Sequence, residues 1–394
     1  TMIERAPRFR EGGYMIDFWG EGFDVAENMG LLPRLNEVGY RFNRIKFVDA
    51  NGRTRSEFGE RAFRNALGER FISLQRGDLA RAIFDTIAEN IDIIFDESIT
   101  EIHEDPSGLD VSFERSAPRR FDLVVGCDGL HSAVRRIIFG GAQRFEKFLG
   151  YYAASFVTGD YPHREELTYV SYGAPGRQIS RYALRGNRSA FLFVFSRDRV
   201  FPKHPHEDAA KQIVRKIFSN DQWVEVPKIL ERMDTCDEFY FDSVSQIRMP
   251  SWSHGRTALV GDAAYCPSLL AGEGAAFAMA GAYVLSGELY RANGDYDQAF
   301  KAYEKRLRGF IESKQGSAKR FAASFAPATL FGLAVRDLVL RTADCFLPLG
   351  KWLIRKMVGE SFDLPDYDVN KAVKSRHLSS SELTRFSQYD GEST

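Results

Sequence analysis

Two glycine–aspartate corners are the parts of this sequence whose residue types and spacing could do chemistry. The first is Gly126-Cys127-Asp128-Gly129, which follows the apolar run Leu123-Val124-Val125 and leads into His131-Ser132-Ala133-Val134-Arg135. A buried strand ending in such a turn lets the backbone come close to a ligand, because glycine carries no Cβ. Ser132 is a residue type that caps the helix that follows. The second corner is Val260-Gly261-Asp262-Ala263-Ala264-Tyr265-Cys266-Pro267, continuing through Gly272-Glu273-Gly274-Ala275-Ala276. Asp262 can accept hydrogen bonds from a sugar-like chain of hydroxyls. The Gly272-x-Gly274 turn opens a helix whose free N–H groups and positive end suit an anion or an electron-rich carbonyl. A third, weaker signal pairs Glu4-Arg5, at the close of a strand, with Arg76 at the mouth of a helix. An acid in the first position binds ribose hydroxyls in dinucleotide folds, and an arginine in the second can reach phosphate. Each segment alone has a plainer reading: a strand–turn–helix, a tightly packed Ala/Gly helix, a solvated strand end.

The elements needed to hold these corners are visible in the patterning. Residues 1–5 read as the end of a strand, 21–30 as a short helix stopped by Gly30, and 77–90 as a helix with Leu79, Ile83, Phe84 and Ile87 on one face. Ile91 to Phe95 reads as a strand. Ser98–Glu104 and Leu109–Glu114 alternate around Asp105-Pro106-Ser107-Gly108, a hairpin signal. From about Tyr151 alternating and apolar segments predict an antiparallel sheet, followed by a helix at 207–219 and strands near 238–248. Thr257–Val260 is a short buried strand, 273–292 a small-residue helix, and 296–325 an amphipathic helix. Pro348 divides two further helices, and beyond Tyr367 the chain turns polar and Ser-rich, a flexible tail.

Bulk composition bounds the function. The 394 residues allow two or three domains, and 44% hydrophobic with 27% charged residues is ordinary globular composition. A net charge of −1 gives no field to attract nucleic acid or an acidic membrane. No stretch reaches the roughly 18 uncharged apolar residues of a membrane span. Cys127, Cys236, Cys266 and Cys345 are far apart and form no CxxC, which favours a reducing cytoplasm. His204 and His206 share a Pro-flanked loop that reads as solvated rather than metal-binding.

Taken together over about residues 1–310, these features resemble the class A FAD-dependent monooxygenases of the para-hydroxybenzoate hydroxylase fold. Asp128-Gly129 matches the family motif touching FAD and the nicotinamide donor, and Gly261-Asp262 matches its ribityl-binding motif. Phe239-Tyr240-Phe241-Asp242, Gln246-Ile247, Gly261–Ser268, Gly281–Leu289 and the C-terminal extension are similar to the tetracycline destructase branch. The resemblance implies an α/β fold: a Rossmann-like FAD-binding domain with a parallel sheet, an antiparallel-sheet substrate domain and C-terminal helices. The corresponding division is 1–149 with 249–310 for FAD, 150–248 for substrate, 311–368 for the helices and 369–394 for the tail. The implied cofactor contacts are Glu4, Arg5, Arg76, Asp128, Gly129, Gly261, Asp262, Pro267, Gly272, Gly274, Ala275 and Ala276. The implied partners are NADPH or NADH, dioxygen and an aromatic or polyketide small molecule, handled by a monomer or weak homodimer through a flavin C4a-hydroperoxide, with no nucleophilic triad.

The sequence also departs from that pattern. The family opens on a strand and a Gly-x-Gly-x-x-Gly loop, whereas only three residues precede Glu4 here, so the chain starts about thirty residues late and the expected sheet lacks its central strand. FAD affinity is then expected to fall steeply. Glu273 stands for the usual Gln, Ala276 for Asn, Gly281 for Asp and Tyr265 for a frequent His; Trp19 stands near a position that is often basic. A carboxylate at 273 would disfavour an anionic reduced flavin unless neutralised. Two rivals are a flavin halogenase, whose Trp-x-Trp-x-Ile-Pro signature does not occur among Trp19, Trp223, Trp252 and Trp352, and a truncated, FAD-deficient remnant that binds an aromatic ligand through 151–250.

Overall fold

Period-two alternation favours half-buried strands, continuous apolar runs favour buried ones, and period-3.6 apolar stripes favour helices. The computed structural model describes residues 1–9, 14–41, 44–59, 70–141, 144–196, 205–345 and 361–367. The chain forms β1 (Met2–Glu4), β2 (Met15–Trp19), α1 (Glu21–Asn28), α2 (Leu32–Val38), β3 (Arg44–Val48), β4 (Thr54–Gly59), β5 (Phe71–Gln75), α3 (Arg76–Ile87) and β6 (Ile93–Phe95). There follow β7 (Ile99–Asp105), β8 (Gly108–Phe113), β9 (Arg119–Phe121), β10 (Val124–Gly126), α4 (Ala133–Phe139), β11 (Glu146–Gly159), β12 (Thr168–Ala174), β13 (Arg177–Leu184) and β14 (Arg188–Ser196). The remainder is α5 (Glu207–Phe218), α6 (Val226–Asp234), β15 (Phe239–Ile247), β16 (Ser253–His254), β17 (Thr257–Leu259), α7 (Asp262–Tyr265), α8 (Gly274–Arg291), α9 (Tyr296–Phe325) and α10 (Leu330–Cys345).

The fold is mixed α/β. Its parallel strands occur as three pairs, β1 with β6, β10 with β17 and β3 with β12, and the first two pairs are not hydrogen-bonded to each other among the described residues. The hairpin β7–β8 turns where expected, since Asp105 Oδ1 accepts the N–H groups of Ser107 (2.6 Å) and Gly108 (3.1 Å). A seven-stranded sheet runs β15-β11-β14-β13-β12-β3-β4. Its last two strands lie in the stretch expected to build the nucleotide domain. They pair outward instead, β3 running parallel to β12. Arg44-Ile45-Lys46-Phe47-Val48 alternates, but nothing local in the sequence names a partner more than a hundred positions away. Likewise α9 runs unbroken across position 310, where the C-terminal helices were expected to begin as a separate unit. The break at Pro348, the second helix after it and the tail lie outside the described residues, as do His204, Trp352 and the side chain of Cys345. Among the described residues no helix is long and apolar enough to cross a membrane, and no His/Cys/Asp/Glu group could hold a metal.

Helix α8 is sheathed by neighbours that come close only because residues are small. A Cβ added at Gly22 of α1 would lie 2.5 Å from Ala276 Cα, and one added at Gly281 would lie 1.8 Å from Tyr265 Oη. The segment 361–367 then closes over α8 from outside. Tyr367 gives its hydroxyl to Glu288 (2.6 Å), Tyr283 bonds the Pro365 carbonyl (3.0 Å), and Phe362 N–H bonds Glu21 (2.6 Å).

Two of the atoms nearest a Cβ at Gly22 are the Ala276 Cα and its methyl, which cannot swing aside, and the third belongs to the buried Phe18 ring. Gly22→Ala should cost about 1–3 kcal/mol by urea denaturation. Adding Ala276→Gly should restore part of that loss; a double variant no more stable than the single one would contradict this contact.

Candidate active site

The two corners are neighbours in space. β10 and β17 pair with Gly126 opposite Leu259, and Val260 N–H bonds the Gly126 carbonyl at 3.0 Å. Arg135, fully buried on α4, fastens them: Nη1 donates to the Ala263 carbonyl (2.7 Å) and Nη2 to the Leu130 carbonyl (2.6 Å). Ser132 caps α4 as expected, its Oγ accepting from Arg135 N–H at 2.9 Å. Asp128 shares that work, accepting N–H groups from Ala133 (2.6 Å) and Val134 (3.0 Å).

Past the second corner, Gly261 takes φ +65° and Gly272 the left-handed φ +72°, conformations that favour glycine. These turns aim the start of α8 at a cavity of about 1970 Å³. Ordinary drug-sized pockets occupy roughly 300–1,000 Å³, so this one has room for a large cofactor and a second molecule. Seven of the expected residues line it: Arg76, Gly129, Gly261, Asp262, Gly272, Gly274 and Ala275. The other five do not. Asp128 is turned to its helix. The Pro267 carbonyl accepts from Gln246 Nε2 at 2.9 Å, and Ala276 is packed on Gly22. Glu4 accepts from Ala6 N–H at 2.7 Å at the end of β1, and Arg5 is exposed beside it.

Electrostatics divide the lining. Burial raises the Asp262 carboxyl above its ordinary range, while a hydrogen bond with Cys266 and the charge of Arg76 pull it down. Arg76 is the first residue of α3, so its guanidinium and the helix's positive end coincide. Burial pushes Tyr14 up to about 12, again opposed by Arg76, and its ring meets that of Tyr240 at 5.3 Å. On another wall burial raises Asp17 to about 6, against hydrogen bonds from Ser73 and Tyr169.

Glu273 is buried at the N-cap of α8, yet it is answered: Lys314 Nζ lies 2.9 Å from Oε1. Burial still dominates and lifts the carboxyl to about 7. Lys314 is the residue that sequence reasoning missed here. It sits on α9, 41 positions from Glu273, and no local motif points to it. Tyr14, Asp17 and Trp19, all of the β2 region, also line the cavity. The alternation Met15-Ile16-Asp17-Phe18-Trp19 was the available signal for that strand.

A model of an FAD binding domain matches residues 20–310. The chain belongs to this FAD binding domain family. It is 35% identical over 318 residues to a flavin-dependent monooxygenase of Legionella longbeachae, covering 80% of each chain. It is 37% identical over 319 residues to an uncharacterized protein of Mycobacterium tuberculosis, covering 80% of this chain and 85% of that one. The crystal structure of tetracycline destructase Tet(55) matches with a TM-score of 0.77 at 28% identity, over 93% of this chain and 92% of that one. Klebsiella pneumoniae HpxO, solved with FAD and uric acid, shares the fold at 20% identity, with a TM-score of 0.72 over 90% and 88%. The protein is thus a class A FAD-dependent monooxygenase, similar to the tetracycline destructase branch, and its cofactor is FAD.

The chain's own residues fit that cofactor at the cavity. Bare glycine backbone, a helix N-terminus, a carboxylate and an arginine face one space, and the carboxylate opposed to reduced flavin in the sequence is neutralised by Lys314.

The ion pair sets a pH dependence. Glu273 has a folded value of about 7 against an ordinary 4.5, so the fold is favoured most below the lower value and loses stability as pH rises through the higher. Lys314→Met removes the charge that holds it down. The variant should lose about 3 kcal/mol at about pH 8 and much less at about pH 5, read from urea denaturation at both. An equal loss at the two pH values would mean that Lys314 does not act through Glu273.

Proposed function

We propose that this cavity holds FAD along the Gly261-Asp262 corner and the N-terminus of α8, with a flat aromatic, polyketide or tetracycline-like substrate between the flavin and the seven-stranded sheet. NADPH or NADH supplies the electrons and dioxygen the inserted atom. The observation that carries the reading is the convergence of Asp262, Arg76 and the α8 N-terminus on one cavity about twice the size a small ligand needs.

When bound, FAD would supply the redox chemistry, taking hydride equivalents from the nicotinamide donor and passing one oxygen atom to the substrate. The protein's residues bind, orient and exclude water. Asp262 accepts from the ribityl hydroxyls. Arg76 and the free N–H groups of α3 meet phosphate charge. Gly274 and Ala275, at the start of α8, would offer backbone N–H groups without side-chain bulk to the carbonyl edge of the ring, and Gly272, whose own N–H is bonded to the Leu269 carbonyl, turns the chain into that helix. Gly129 leaves the opposite approach open, since a Cβ there would meet nothing within 4 Å. Asp128, Pro267 and Ala276 act by position, setting helix, turn and packing behind the surface. Glu4, with Arg5, is the candidate for the ribose at the end of β1. In this reading 1–149 and 249–310, less β3 and β4, form the nucleotide unit, and 150–248 the substrate unit. The protein works as a monomer or weak homodimer, and free Cys127, Cys236 and Cys266 suit a reducing cytoplasm.

Flavin absorbance of the purified protein, together with NADPH loss and oxygen uptake over a panel of phenols and tetracyclines, tests the assignment. Asp262→Ala should weaken FAD binding about tenfold or more, the loss of charge-assisted hydrogen bonds. An Asp262→Ala protein that binds FAD as tightly as wild type removes Asp262 from the site. Protein that takes up no flavin but still binds aromatic ligands would favour the ligand-binding alternative.

A further inference from the structure

The part of the cavity wall made by β3, β4, β12 to β14 and α10 is largely apolar, with Ile45, Phe47, Phe58, Leu192, Val335 and Leu340 facing the space, whereas β15 adds a separate polar edge of Asp242, Ser243 and Ser245. One polar line crosses it. Arg336 on α10 donates from Nη1 to Gln178 Oε1 at 3.0 Å. Gln178 donates from Nε2 to Ser180 Oγ at 3.1 Å, and the hydroxyls of Ser180 and Ser171 share a hydrogen bond of 2.8 Å. All four residues line the cavity, and the three sheet residues are buried.

Arg336 is held in place but left with donors to spare. Its guanidinium carbon stands 3.9 Å from the centroid of the Phe47 ring, and a Cβ at Gly173 would come within 3.1 Å of Nη2. Nη1 also reaches the Phe325 carbonyl at 3.5 Å, Nη2 has only a long contact of 3.4 Å to Asp337 Oδ1, and Nε is buried with no hydrogen bond. Asp337 is itself shared, lying 3.1 Å from Arg55 Nε and accepting from Ser56 Oγ at 3.3 Å. Two guanidinium groups therefore face one carboxylate, which leaves positive charge at this wall. Burial lowers the Arg336 pKa, the mark of a cation that lacks full compensation. A buried donor without an acceptor costs free energy until one arrives. Among the described lining residues the other cation is Arg76, whose charge acts on Tyr14 and Asp262, so the two serve different parts of the cavity.

We propose that Arg336, oriented by Gln178, anchors an acidic oxygen (a carboxylate, phenolate or enolate) at one edge of a flat and otherwise apolar substrate. The inference rests on the reading that this cavity receives the substrate, and it adds the charge that the substrate carries. The planar fork of arginine suits two neighbouring oxygens, Phe47 fixes the plane of the fork, and the apolar wall covers the rings.

Calorimetric titration of the flavin-loaded protein with an anthraquinone carboxylate and with its methyl ester tests the anchor. Wild type should bind the acid about tenfold or more tighter than the ester. Arg336→Met should abolish the preference by weakening the acid alone. Gln178→Glu, which keeps Arg336 in place but neutralises it, should do the same and answers the question if Arg336→Met does not fold. Equal binding or no binding of the two probes by wild type overturns the proposal. So does a variant that weakens acid and ester by the same factor. A protein that consumes NADPH with aromatic substrates yet ignores the acid loses only the anchor. One that prefers the acid but oxidises no NADPH loses the oxygenase reading and keeps it.

Discussion

The buried guanidinium of Arg135 is the interaction on which the site's geometry depends. It reaches the Ala263 carbonyl on one side and the Leu130 carbonyl on the other, so two turns more than a hundred positions apart become one surface. Both acceptors are buried or half-buried backbone oxygens that would otherwise lack a strong donor. The arginine can do this because α4 starts where it does, and α4 starts there because Ser132 and Asp128 satisfy its first N–H groups. The aspartate of the first corner therefore contributes by building the helix that carries the clamp.

A second constraint acts on α8. Its N-terminus can face the cavity only if the helix lies close against α1 and α7, and that closeness is set by Gly22 against Ala276 and Gly281 against Tyr265. Stacking small residues brings backbone near backbone and leaves no room for relaxation, so the helix end is held still at the ligand. The same approach buries Glu273. A lone carboxylate there would be neutral or disruptive, and Lys314 from α9 resolves the conflict. Cofactor position, helix packing and charge balance are thus one problem with a joint solution.

The motifs were legible because their chemistry is local. A glycine that must take positive φ, a serine that caps, and an Asx turn in a hairpin each act within a few residues, and Gly261, Gly272, Ser132 and Asp105 stand as their types demand. Substituting Glu for the family's usual Gln at 273 looked unfavourable on the same local terms. The structure supplies the neutralising partner that this reading asked for, a lysine that no spacing rule connects to Glu273. Asp17 with Tyr169, and Arg336 with Gln178, were invisible for the same reason: each pair joins strands or helices that meet only in the folded sheet.

What the amino-acid order determined alone is the principal helices, the strands around the two corners, the corners themselves and the family they resemble, though not β2 to β5, because periodicity, capping and backbone freedom are short-range properties. Tertiary structure decided which corner residues face the ligand, where β3 and β4 pair, and how buried charges are matched. Those outcomes depend on distances between groups far apart in the chain, and packing alone sets such distances.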